Sequence, residues 1–255
     1  MANDNNIPGL NLDSKSFIPS LSVDCVILGY QHDQLYALVL KLKNSNDWSL
    51  PGGFIKKDED IDSAALRELK NRTGLDISFL KQMHVFGGTQ RRDLDFVDQK
   101  LNSLGADETT KTWFQQRFIS VAYLALVNPE SFTPIPDPWS DLCEWKPLND
   151  MPQLIFDHNE MIAYARDYIG IQIKYLPIGL SLLPEKFTMK TLQKLYEVVL
   201  ERALDRANFQ KKMLKLGILI RHEKQMSGGA HKAPYLYSFN ELKYHEFLES
   251  GFGFI

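Results

Sequence analysis

WSLPGGFIKKDEDIDSAALRELKNRTGL, Trp48 to Leu75, reads as a strand end, a diglycine turn, a short acidic loop and then one helix. Asp62 stands where an N-cap would accept the first free amides. Ala65, Leu66 and Leu69 recur at helical spacing and predict the buried face, and Gly74 sits where a left-handed residue stops a helix. The other elements of the chain are placed relative to this helix.

The spacing of Gly53, Glu59, Arg67, Glu68, Leu69, Gly74 and Leu75 resembles the Nudix box, in which a glycine, an isolated glutamate, an Arg-Glu-apolar triplet, a glutamate pair and a Gly-apolar end recur. Where that family has the glutamate pair, this chain has Asn71 and Arg72. Positions 68, 71 and 72 are three and four apart, so on a helix they share a face. Carboxylates there would make a hard oxygen site for magnesium. Glu68 alone remains, and Arg72 sets a cation where a divalent ion needs anionic oxygen. The expectation is no catalytic residue, no metal and no cofactor. The alternative is a Nudix hydrolase that cleaves ADP-ribose or related nucleoside diphosphates with Mg²⁺, taking ligands from loop carboxylates.

At 255 residues, with 44% hydrophobic and 24% charged residues, the chain suits one medium and one small globular domain. Cys25 and Cys143 are far apart and in no metal-binding pattern, so reduced thiols in strands are expected. No signal peptide pattern or membrane-length apolar run is evident, which predicts a cytoplasmic protein with no membrane partner. From Ile171 onward there are 13 Lys or Arg against 8 Asp or Glu, so the net charge of −3 hides a basic C-terminal part and an acidic body. Such asymmetry points to nucleic acid at the basic end.

Leu21–Gly29 and Tyr36–Lys43 read as a hairpin, and Met83–Gly88, Phe118–Val127 and Leu142–Trp145 continue the strand series. Residues 90–116 form a polar insertion holding a short helix over Phe96–Leu104, either a lid or subunit contact near a pocket or a solvated elaboration. Asp157 or His158 opens a helix whose apolar face would be Met161, Ile162, Tyr164 and Ile169. A connector with two prolines, YLPIGLSLLPEKF, then leads to helical spacing. Thr188 caps one helix, with Leu192, Leu195, Tyr196 and Val199 inward. Asp205 caps the next, with Phe209, Met213 and Leu216 inward and Gly217 at its end.

The second of these helices presents Arg206, Asn208, Gln210, Lys211, Lys212 and Lys215 outward, side chains suited to phosphates and base edges. Strands at Ile218–Arg221 and Tyr235–Phe239 follow, and Lys224, His231 and Lys232 fall on the loop between them. Helix, turn, helix and β-ribbon in that order predict a winged helix-turn-helix on double-stranded DNA. The competing reading is a merely solvated charged face.

LLPEKFTMKTLQKLYE, DRANFQKKMLKLGIL and APYLYSF together are similar to the C-terminal domain of Nudix-related regulators of the NrtR group. With the degenerate box and LIFDHNEM, the chain resembles in particular the sugar-responsive AraR branch. The resemblance implies an α+β chain: a Nudix-type α/β/α sandwich with a mixed sheet over 1–172, then a winged helix over 173–255. It implies a homodimer that reads a palindromic operator as a repressor and senses a small-molecule effector such as arabinose or a sugar derivative. Arg67, Glu68, Arg91 and Arg92 are the candidate effector contacts. Asp205, Arg206, Asn208, Phe209, Lys211 and Lys212 fall on the recognition-helix motif, with Ala207 where a second basic residue is common.

Overall fold

The computed structural model describes residues 14–74, 79–89, 91, 93–173, 176–225 and 233–250. The chain divides into two compact units. One comprises Met1–Leu28, Tyr36–Val127 and Ser131–Ala165, and the other Gly29–Leu35, Asn128–Glu130 and Arg166–Ile255.

In chain order the first elements are β1 (Phe17–Gln31), β2 (Gln34–Leu42), β3 (Trp48–Ser49), β4 (Gly52–Lys56) and α1 (Ile61–Thr73). They are followed by β5 (Leu80–Phe86), α2 (Leu94–Ser103), α3 (Glu108–Phe114), β6 (Ile119–Val127), β7 (Ser140–Pro147) and α4 (His158–Gln172). Among the described residues, seven strands form one mixed sheet of order β3-β2-β1-β6-β5, with β4 on β1 and β7 on β2. Alternation places Val23, Cys25 and Ile27 of β1 and Val121, Tyr123 and Ala125 of β6 in one core with Ala64, Ala65 and Leu69 of α1. Asp24, between two of these core residues, belongs to the opposite face of β1. Its register against Gly52 of β4 brings a carboxylate beside the diglycine turn.

Several local expectations are corrected. The N-cap of α1 is Asp60, and Asp62 lies inside the first turn, where its carboxylate accepts the Tyr123 hydroxyl. Leu66 is 45% exposed; Ala64 takes its place in the core. In α4, Tyr164 is 38% exposed and its ring stacks on His84, while Ala165 joins the buried face. Gly74 does end α1, at φ 69°, donating its N–H to Lys70 O. Both cysteines are free, Cys25 buried in β1 and Cys143 half-buried in β7.

The polar insertion folds as two helices. Asp93 caps α2 by accepting the Phe96 N–H, and Asp107 caps α3 by accepting the Thr110 N–H. Gly105, at φ 69°, turns the chain between them. Val97, Leu101, Leu104 and Ala106 form a small core of their own, with Phe96, Phe114 and Trp139 packed against it.

The second unit continues with α5 (Gly179–Leu182), β8 (Phe187–Thr188), α6 (Met189–Leu200), α7 (Arg206–Lys215), β9 (Leu219–Lys224), β10 (Tyr235–Phe239) and α8 (Glu241–Ser250). Thr188 caps α6 and Asp205 caps α7, each accepting the amide three residues on. Strands β8, β10 and β9 pair in that order into a small sheet. Leu192, Leu195, Tyr196, Val199, Phe209 and Met213 are buried, and the Tyr196 ring meets that of Phe209 edge-on at 5.2 Å. The order of elements is that of a winged helix. Neither α5 nor α8 is predicted by the spacing, because the first is one turn long and the second lacks a strong apolar stripe.

Candidate functional site

Helix α1 and strand β4 meet at an ion-pair ladder. The Glu59 carboxylate holds Arg67 at both oxygens, at 2.8 and 2.9 Å, and accepts the Lys56 amide. Hydrogen bonding to Arg67 keeps Glu59 below the usual carboxylate range. Arg67 also donates to Phe54 O and to Glu68 Oε1. The other Glu68 oxygen accepts from Arg72 at 3.3 Å, and Arg72 lies 3.7 Å from Asp137. Burial pushes the Glu68 carboxyl above its ordinary pKa despite the two guanidinium groups. Arg72 is itself only 10% exposed along its side chain, and its Nε is buried with no hydrogen-bond partner among the described residues.

Gly53 is required here: a Cβ on it would fall inside van der Waals contact of Glu68 Oε1. Asn71, expected on the same face as Glu68, is exposed and does not line the cavity described next.

A second polar group stands on the sheet. Asp24 Oδ2 accepts the Ser120 hydroxyl at 2.5 Å and Arg91 at 2.7 Å. Arg91 turns its Nε to Asp157 at 2.8 Å and a third N–H to Phe118 O. Its side chain is 6% exposed, so it is a locked structural cation as well as a lining residue. Burial alone would raise the Asp24 pKa, but the charges of His158 and Arg91 and the bonds from Ser120 and Arg91 prevail and lower it. His158 Nδ1 accepts the Leu50 N–H at 3.0 Å, and burial depresses its pKa.

These two groups face one cavity of about 450 Å³. Phe54, Phe114, Phe118, Phe156 and Trp139 contribute aromatic walls, and Phe96, Val97, Leu101 and Leu104 bring the inserted helices to the same space. Lys100 of α2 ties this wall to the β2–β3 turn through Lys43 O and Ser45 Oγ. Among the described lining residues four cations (Arg67, Arg72, Arg91, Lys100) face four anions (Asp24, Glu68, Asp93, Asp137). An aromatic cavity with a few convergent polar groups is suited to a small organic ligand.

Of the effector candidates, Arg67, Glu68 and Arg91 share this cavity, and Arg92 lies outside the described residues. The sequence reading missed Asp24, His158 and the aromatic walls. An acid inside the apolar run LSVDCVILG was the signal available for the first.

In the second unit, Arg206, Asn208, Lys211, Lys212 and Lys215 of α7 are exposed or partly exposed and Gln210 is half-buried. Lys224 is exposed at the end of β9, its ammonium 5.3 Å from the Tyr235 ring centre, while His231 and Lys232 lie outside the described residues. Exposed basic side chains on a helix face are of the chemical kind that donates to phosphates and base edges.

A protein defined by such a box helix, sheet and appended winged helix belongs to a known class. The family model of the NUDIX domain matches residues 19–165, and that of the NrtR DNA-binding winged helix domain matches residues 179–239. The chain belongs to the Nudix family and carries the winged helix of its NrtR-like regulators. A curated relative, the ADPR responsive transcriptional repressor NtrR of Acinetobacter baylyi, is 26% identical over 87% of this chain and 82% of its own length. The RNA pyrophosphohydrolase of Brucella ovis is 35% identical over 42% of this chain and 59% of that protein. Among solved structures, Shewanella oneidensis NrtR is 25% identical with a TM-score of 0.67, covering 88% of this chain and 96% of that one. The same protein complexed with a 27mer DNA has a TM-score of 0.69 at 24% identity, over 88% and 95% of the two chains.

Proposed function

We propose that this chain is a DNA-binding transcriptional repressor of the NrtR type, in which a catalytically silent Nudix domain senses a small effector. The observation that carries this reading is the state of Glu68. The carboxylate that remains on the 68/71/72 face of the box helix is occupied by Arg67 and Arg72, so the charge a magnesium ion would meet there is already neutralised. The exposed basic face of α7 supplies the output. As in related winged helices, a homodimer would set two such helices on a palindromic operator, and effector binding would change their spacing.

ADP-ribose is the first effector to test, since the Acinetobacter relative is named for it. The second reading is an uncharged sugar or sugar derivative, the effector expected from the resemblance to AraR. Four lining cations against four lining anions favour it, because a diphosphate needs unspent positive charge. We assign the domains as 1–172 for sensing and dimerisation and 173–255 for DNA.

The deciding experiment selects DNA sites from a random library, then measures binding by fluorescence anisotropy with ADP-ribose or L-arabinose added. Release of DNA by either identifies the effector class. Turnover of ADP-ribose with Mg²⁺, abolished in Glu68→Gln, would instead establish the hydrolase.

A further inference from the structure

His158 has only one way to satisfy its hydrogen bonds when neutral. Nδ1 accepts the Leu50 N–H, so the ring proton must sit on Nε2. That Nε2–H stands 3.8 Å from Asp24 Oδ1, too far for a hydrogen bond. The two donors that Asp24 does receive, from Ser120 and Arg91, both go to Oδ2. A donor and an acceptor, each on a side chain at least nine-tenths buried, therefore face one cavity with a gap between them and no partner among the described residues. A hydroxyl oxygen seated on the cavity side of that 3.8 Å separation, about 2.8 Å from each atom, would accept from Nε2 and donate to Oδ1, using both of its capacities.

A second, independent feature adjoins this gap. Phe156 lines the same cavity, is 41% exposed, and holds a left-handed backbone at φ 51°, which a bulky side chain rarely adopts. Such conformations persist where the surrounding structure enforces them, and they gather at ligand sites. The Phe156 ring centre lies 6.0 Å from that of His158, close enough for one ligand ring to engage both. Gly52 keeps the approach open, because a Cβ there would collide with Asp24 Oδ1.

We propose that Asp24 Oδ1 and His158 Nε2 form a hydroxyl-reading pair, and that Phe156 supplies the apolar face for the ring that carries the hydroxyl. The ligand chemistry is a hydroxylated sugar ring, either a free sugar or the ribose of a nucleotide. This inference rests on the reading of the cavity as an effector site, and it identifies the atoms that choose the effector. A site built to bond a hydroxyl rejects an analogue that lacks it, since the buried donor and acceptor are then left unpaired.

The test uses the full chain and isothermal titration calorimetry with ADP-ribose, L-arabinose and D-ribose. Whichever binds is compared with analogues that each lack one hydroxyl. One analogue should bind about 100-fold more weakly than its parent. Asp24→Asn and His158→Gln should weaken the parent while leaving that analogue within about threefold of its wild-type affinity, a coupling that general damage to the fold would not produce. The deoxy series on the wild-type protein needs no variant to fold. If every analogue binds as its parent does, the hydroxyl pair is overturned and the sensing cavity stands. If none of the three probes binds, the sensing reading fails and this inference with it.

Discussion

Arg72 decides the chemistry of the box helix, and it does so from a position that is nearly closed to solvent. Removing one member of a buried ion pair leaves the other uncompensated, at a cost of about 3–5 kcal/mol. Arg72→Glu should therefore lower stability by that order in the absence of metal, because Glu68, Asp137 and the new carboxylate would repel one another. Millimolar Mg²⁺ should then raise the melting temperature of Arg72→Glu and leave that of the wild type unchanged, as read by differential scanning fluorimetry. A wild-type protein stabilised by Mg²⁺ would contradict the account. Gly53→Ala should cost about 1–3 kcal/mol, since the added methyl group meets a Glu68 that two arginines hold in place.

His158 makes a prediction about acid. Its folded pKa is below the ordinary 6.5, so as pH falls from 6.5 the unfolded chain takes up a proton that the folded one refuses. Stability should decline across that window, and His158→Gln should flatten the decline in urea titrations. The Asp24 pKa is also lowered, so its contribution is present above 3.8 and is lost only at more acid pH. The glutamate-to-arginine change was legible in the sequence, as its meaning depends on one helical spacing. The Asp24–His158 pair was not, because it joins positions far apart in the chain that only the sheet and the start of α4 bring together.

Among the elements, α7 carries the most specific expectation. Lys211 and Lys212 are exposed on a helix whose buried residues are Phe209 and Met213, so replacing both lysines with alanine should leave the fold intact. DNA binding should weaken, and the slope of log affinity against log salt should shrink by about 2, one for each phosphate no longer neutralised. An unchanged slope in anisotropy titrations would mean that this face does not meet the duplex. Asp205→Ala removes the cap that receives the Asn208 amide and should cost about 1 kcal/mol of thermal stability. Helices α6 and α7 were readable in advance, since their caps, apolar stripes and terminal glycine agree with one another. The inserted pair α2 and α3 was harder: α3 has seven residues, and its small core depends on Trp139, which arrives from a distant loop.

At the scale of the whole molecule, the proposed reading makes sensing and DNA binding linked equilibria. If an effector weakens operator affinity by some factor, the operator must weaken effector affinity by the same factor. Calorimetry with and without saturating DNA checks that equality, and unequal factors would show that the ligand acts elsewhere than on the binding equilibrium. The two-part architecture was evident from the shift in texture after residue 173. The Nudix sheet is assembled from strands far apart in sequence, and its cavity appears only once those strands and the inserted helices are in place.

Arg72 also has a consequence for how such a regulator would live in its cell. The positive charge beside Glu68 is covalently part of the polypeptide, so a chelator has nothing to remove there. In the proposed reading, the response to effector should be the same in EDTA as in a medium rich in divalent salts, and starvation for those ions would leave the signal intact.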